Sequence, residues 1–258
     1  MIKPKEGRTL VGRVLCVANQ KGGVGKTTTA VNLGAGLAKA GRRTLLIDLD
    51  PQCNATTGLG IEPSPRHWLI TEKPIRESMA NAYLPELFLL PGSRSFKDID
   101  LLARADHGEA AKLADQITTA SAAFEFVLID CPPSAGPLTQ TALACANELL
   151  MPVQCEYYAM EGLTQMIQVV RKIMKTHKTG LEFGGIVLTM HDHRLELARE
   201  VDAEVREFFG EIVFETVIPR DVSAAEAPSH GKSVMDYDPR SRSARAYIEL
   251  CMEVLERD

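Results

Sequence analysis

The six cysteines, Cys16, Cys53, Cys131, Cys145, Cys155 and Cys251, contain no C-x-x-C spacing. The pattern of a zinc site or of a cluster-ligating pair is therefore missing. Cys16, Cys131 and Cys145 lie in apolar runs, where a buried thiol is a simpler reading than a disulfide. A reducing cytoplasm suits such thiols. An excess of one charge is also missing. Lys and Arg total 29 against 34 Asp and Glu, for a net charge of −5. That balance excludes a polycation drawn to nucleic acid by its global field, so any such contact must come from a local patch. No apolar run is long enough to span a membrane, and the polar segment 1–13 has no hydrophobic region of a signal peptide behind it. The expectation is a soluble cytoplasmic protein. Internal repeats, low-complexity segments and breaks in composition are absent. Trp68, the one tryptophan, stands in a proline-interrupted stretch and reads as a packing anchor for that loop.

With 258 residues, 45% of them hydrophobic, the chain can bury one large core. Residues 1–11 read as a loose arm and 12–258 as a single domain. Apolar strands are expected at 13–18, 43–49, 87–90, 126–130, 148–153, 183–190 and 212–218. Helices are expected at 27–40 (closed by Gly41), 98–105, 109–122, 138–146, 195–209 (ended by Gly210) and 242–257. Residues 53–74 read as irregular because Pro63, Pro65 and Pro74 interrupt them. Met160, Leu163, Ile167, Val170, Ile173 and Met174 recur at helical spacing and read as core. Strands alternating with helices predict an α/β fold: a mostly parallel, twisted sheet with helices on both faces. Ligands of such sheets bind beyond the carboxyl ends of the strands.

One of those ends carries Asn19-Gln20-Lys21-Gly22-Gly23-Val24-Gly25-Lys26-Thr27-Thr28-Thr29. Strand, glycine-rich turn and helix N-terminus together form a phosphate cradle. Gly22, Gly23, Val24 and Gly25, with Thr28 in the first turn of the helix, are the expected ATP-binding positions of the loop beside Lys21, Lys26 and Thr27. Lys26 can reach the β- and γ-phosphates, and the Thr27 hydroxyl can ligate Mg²⁺. Gln20 stands where the usual pattern has its first glycine, and a second lysine, Lys21, precedes the loop. Asp130 ends an apolar strand in Val-Leu-Ile-Asp-Cys-Pro-Pro, placed to hold Mg²⁺ through water. A helix or turn cap is the other reading of a strand-end Asp. Asp48 and Asp50 end a neighbouring strand.

The loop K-G-G-x-G-K-T-T resembles the deviant Walker A motif of the ParA/MinD class of P-loop NTPases. Leu-Ile-Asp-Leu-Asp-Pro-Gln resembles the segment whose second aspartate positions water in that class. That implies a water-orienting role for Asp50, with Asp48 near the metal or just behind it. The resemblance also implies that Lys21 reaches across a homodimer to the partner's phosphates. Pro152-Val-Gln-Cys-Glu-Tyr-Tyr-Ala-Met-Glu-Gly162, Val217-Ile-Pro-Arg220, Glu226-Ala-Pro-Ser-His-Gly231 and Tyr237-Asp-Pro-Arg-Ser241 look like the chromosomal ParA (Soj) branch. The match covers about residues 12–255.

This resemblance implies an ATPase that hydrolyses ATP to ADP and phosphate. ATP with Mg²⁺ forms a sandwich dimer, which binds non-specific double-stranded DNA on the nucleoid. A ParB-like centromere-binding protein stimulates hydrolysis and releases the dimer. Met190, Pro219 and Asp221 would border the adenine. Arg194 matches a basic position used for DNA, whereas Ser223 stands where the family has a second arginine. Lys232, Arg240, Arg242 and Arg245 lie downstream and are candidates to substitute. They interleave with Asp236 and Asp238, so a solvated mixed-charge face remains the competing reading. A positioner of another cargo is one alternative function. A MinD-like membrane-cycling ATPase is another, disfavoured by the acidic C-terminus, Glu249 to Asp258. A metabolic ligase or reductase is the last.

Overall fold

A computed structural model describes residues 12–71, 73–95, 98, 113–119, 122–134, 136–177 and 180–257. Eight strands form one sheet: β1 (Arg13–Val17), β2 (Thr44–Asp48), β3 (Ala80–Asn81), β4 (Leu87–Leu90), β5 (Phe126–Asp130), β6 (Glu148–Gln154), β7 (Glu182–His191) and β8 (Val213–Pro219). Their order is β3-β4-β2-β5-β1-β6-β7-β8. Every neighbouring pair is parallel except β3 with β4.

The strands alternate strictly between two cores. Val14 and Cys16 of β1, Leu45 and Ile47 of β2, and Val127 and Ile129 of β5 pack on one face. Leu15, Val17, Leu46, Phe126 and Leu128 pack on the other. A strand apolar at every position must be covered twice. On the second face, helix α1 (Lys26–Lys39) and the C-terminal helix Arg242–Glu256 supply Leu33, Leu37, Tyr247 and Leu250. On the first, Pro137–Cys145, Ala159–His177 and Glu196–Phe209 supply Leu143, Leu163, Val170 and Val205.

Several expectations need correction. Residues 53–74 are not wholly irregular. A short helix, α2 (Asn54–Gly58), follows β2, and a 3₁₀ turn spans Trp68–Ile70. The prolines lie outside both. Trp68 is buried there, as its packing role requires. In the methionine-containing helix, Met166 faces the core while Met174 is exposed. Strand β3 is only two residues long and its sequence shows no alternation. Gly41 (φ 78°) and Gly210 (φ 54°) end their helices in the left-handed region, where side chains are disfavoured. The arm at 1–11 and the helix at 98–105, Asp98 aside, lie outside the described residues. Of 109–122, positions 113–119 are helical. None of the six cysteines forms a disulfide.

Candidate functional site

The register of three strands assembles the site. Asp130 ends β5 beside Asp48 of β2 and Val17 of β1. The loop 18–25 leaves β1 at this edge. Gly23 (φ 74°) and Gly25 (φ 87°) adopt left-handed backbone, and Gly25 caps α1. No acidic residue occupies the first turn of α1, so the positive end of the helix is not neutralised. The Thr189 hydroxyl donates to the Val24 carbonyl (2.8 Å), fastening the loop to β7.

Lys26 is only 6% exposed, and its ammonium donates to the Lys21 carbonyl at 2.9 Å. Burial lowers its pKa, against the opposing pull of Asp130 and Asp50. Asp130 is fully buried, and neither carboxylate oxygen has a hydrogen-bond partner of ordinary geometry. Burial first, and Asp48 second, hold its carboxyl well above the ordinary range, although the nearby Thr27 hydroxyl favours the charged form. A buried carboxylate with no donor in ordinary hydrogen-bond geometry is unusual. Together with the Thr27 hydroxyl it offers an oxygen-only donor set, the kind a hard cation takes.

Asp48 is differently placed. The Thr56 N–H (2.9 Å) and hydroxyl (2.6 Å) both donate to its Oδ2, and the Asp50 N–H donates to Oδ1 (3.1 Å). Burial still pushes its pKa up to about 6, opposed by the Thr56 bonds. It ties α2 to β2, and its oxygens are already engaged. The Thr56 hydroxyl accepts from the Gly92 N–H at 2.9 Å. A Cβ at Gly92 would stand 3.0 Å from Asp48 Cγ and from Cys53 Sγ, so this glycine permits close approach. Asp50, 6% exposed, accepts from the Gln52 N–H at 2.9 Å. Cys53 (φ 56°) turns the chain from Asp50 into α2. Thr56 and Gly92 escaped sequence reasoning because their partners lie 8 and 36 residues away.

Lys21 meets Glu156 at 3.0 Å, another pairing without a local sequence signal. Met190 (φ 52°) sits in left-handed backbone at the end of β7, and Pro219 ends β8 opposite His191. Such backbone in a bulky residue is strained and tends to mark functional sites. The Asp221 carboxylate accepts from the Ser223 and Ser243 N–H groups. Burial alone would raise its pKa, but these bonds outweigh it and the net shift is downward. Asp221 thus braces its own backbone.

The basic candidates fall into separate places. Arg194, with its side chain 78% exposed, lies fork-on against Asp192 at 2.7 and 2.9 Å. Arg240, Arg242 and Arg245 are exposed around the start of the C-terminal helix. Arg242 donates to the carbonyl of exposed Arg220 (3.1 Å), whose N–H donates to His191. Lys232 instead lines a cleft of about 390 Å³ with Thr28, Asn54 and Thr57. Ser223 donates its hydroxyl to Asp238 at 2.8 Å. No described helix is long and apolar enough to cross a membrane.

Comparison with known proteins follows the same lines. A family model described as an AAA domain matches residues 12–183. The chromosome partitioning protein ParA of Myxococcus xanthus is 42% identical, across 98% of this chain and 92% of that protein. The chromosome-partitioning ATPase Soj of Treponema pallidum is 42% identical, across 96% and 99%. Among solved structures, cobyrinic acid a,c-diamide synthase of Mycobacterium smegmatis with an ATP analogue and magnesium aligns with a TM-score of 0.82. It is 31% identical, covering 96% of this chain and 95% of that one. Identity at this level over nearly the whole length, joined to the loop and its buried carboxylates, shows that the chain belongs to the ParA/Soj family of chromosome-partitioning ATPases.

Proposed function

We propose that this ATPase uses ATP with Mg²⁺ to form a sandwich dimer that binds DNA without sequence preference, and that a ParB-like partner ends each cycle by stimulating hydrolysis. The observation that carries the nucleotide chemistry is the fully buried Asp130 carboxylate, without a hydrogen bond of ordinary geometry, beside Lys26 and Thr27. The backbone N–H groups of 22–27 and the Lys26 ammonium bind the phosphates. Thr27 and Asp130 are the residues that would hold Mg²⁺, Asp130 through water. Bound there, the ion would neutralise charge developing on the phosphate oxygens. Asp50 orients the attacking water; beside bound Mg²⁺ it works by placement more than by basicity. Lys21 contacts the partner's phosphates. Met190 and Pro219 border the adenine, and Asp221 shapes that border by bracing residues 221–243.

Names given to relatives for chromosome partitioning support DNA as the track. Arg194, Arg240, Arg242 and Arg245 supply phosphate contacts, joined by Arg220. Lys232, in its cleft beside α1, is better placed to sense α2 than to reach a duplex. For Arg194, DNA phosphate must displace Asp192. Each partial patch is weak, and dimerisation doubles it. Sedimentation of Asp50→Ala with ATP-Mg²⁺ and with ADP-Mg²⁺ tests the cycle. A dimer with ATP alone supports it, and a monomer in both states rejects it.

A further inference from the structure

Lys21 is held by its own chain. Its Nζ donates to Glu156 Oε2 at 3.0 Å, with the two side chains 35% and 47% exposed. Glu156 is fixed in turn. Its N–H donates to the Gln154 carbonyl and its carbonyl accepts from the Ala159 N–H, both at 2.8 Å. The Gln154 amide donates to its Oε1. On the loop side, the Lys21 N–H donates to Asn19 Oδ1 at 3.1 Å, and Asn19 Nδ2 donates to the Pro152 carbonyl at 2.8 Å. The Lys21 carbonyl meanwhile occupies the Lys26 ammonium. One carboxylate at the end of β6 thus holds Lys21 back, and the Lys21 carbonyl engages the second lysine. A carboxylate and a phosphate are rival anions for one ammonium, and charge-assisted contacts to both compete directly.

We propose that Glu156 is a latch: it neutralises Lys21 in the single chain and must be displaced before Lys21 can engage a phosphate. The link to dimerisation rests on the cross-dimer role of Lys21 given above. The latch sets a threshold. Nucleotide binding to one chain leaves the ion pair closed, and only apposition of a second loaded chain offers Lys21 a stronger anion than Glu156. A half-exposed pair of this kind biases the equilibrium about two- to fivefold.

The test compares wild type, Glu156→Gln, Lys21→Ala and the double variant, using Mg²⁺ and a non-hydrolysable ATP analogue. Sedimentation gives the analogue concentration at which half the protein is dimeric. Calorimetry gives ADP-Mg²⁺ affinity in the monomer. Glutamine retains the length of the side chain and a carbonyl for the Gln154 contact, and melting curves check the fold. With Lys21 acting across the dimer, the latch requires Glu156→Gln to lower the dimerisation midpoint about two- to fivefold, and this gain must vanish in the Lys21→Ala background. Glu161→Gln is the control, because Glu161 lines a cavity of about 370 Å³ together with Lys21 but accepts from Gln165 instead of Lys21. It should leave the midpoint unchanged. An equal shift from Glu161→Gln, a shift that survives without Lys21, or no shift in either quantity would overturn the latch. A Lys21-dependent gain in ADP affinity with dimerisation unmoved keeps the latch but places Lys21 on its own chain's phosphates, against the cross-dimer role.

Discussion

The carboxyl edge of the sheet has two halves built in opposite ways. At β2, β5 and β1 the ionisable groups are buried: Asp48, Asp130, Lys26 and Asp50 share a space from which water is largely excluded. Beyond β7 and β8 the charges stand in solvent, as Arg194, Arg220, Arg240, Arg242 and Arg245 do. Burial makes every polar atom costly unless it is used. It follows that the unused Asp130 oxygens point to a ligand, while an exposed arginine paired with Asp192 points to nothing by itself. The first half announces chemistry by its buried, unused polar atoms, and the second must be probed with a partner.

The sharpest way to break this contrast is Lys26→Ala. Losing a preorganised phosphate contact in a water-poor site should lower ATP turnover by about 100- to 1000-fold, measured by phosphate release. An unchanged rate would remove the loop from the mechanism. Asp130→Asn comes next. In the absence of nucleotide and Mg²⁺ it should stabilise the chain by about 1–3 kcal/mol near neutral pH, since it removes a carboxyl whose charged form burial disfavours, while abolishing Mg²⁺-dependent turnover. The pH dependence has a fixed sign. Asp130 is held above its ordinary value of 3.8, so the folded chain keeps the proton to higher pH than the unfolded chain does. Wild-type stability therefore falls as pH rises above that value, and the advantage of Asn should shrink to nothing in acid. Denaturant titrations at several pH values would show it. A gap between the two proteins that ignores pH would mean the carboxylate is already satisfied.

Thr56→Val should cost about 1–3 kcal/mol of stability, because Asp48 Oδ2 and the Gly92 N–H each lose a buried partner. Thermal melts of apoprotein check it, and a neutral result would separate α2 from the buried half of the edge. The smallest expected effect belongs to the exposed half. Arg194→Glu should weaken DNA binding about tenfold and flatten its salt dependence, with basal turnover near normal. Undiminished binding would move the patch to Arg220 and the C-terminal helix.

The same contrast explains what could be read without coordinates. Strands β1, β2 and β5 were legible because each holds an unbroken apolar run that stops at a functional turn. Lys26, Thr27 and Asp130 were legible because phosphate chemistry fixes residue types at fixed spacing. Thr56, Gly92 and Glu156 were not, since their roles arise only when separate strand ends come together. Ser223, at the position where the resemblance implies a second arginine, bonds through its N–H to Asp221 and through its hydroxyl to Asp238. Met174 followed helical periodicity on paper yet lies outside the buried stripe that Met166 completes.

The central claim is that the buried half of the edge controls the exposed half through ATP. The direct measurement is binding of Asp50→Ala protein to non-specific duplex DNA, with ATP-Mg²⁺ and then ADP-Mg²⁺, across a salt series. Binding with ATP only, falling steeply as salt rises, is the predicted result. Equal binding in both nucleotide states, or none in either despite an ATP-induced dimer, would contradict it.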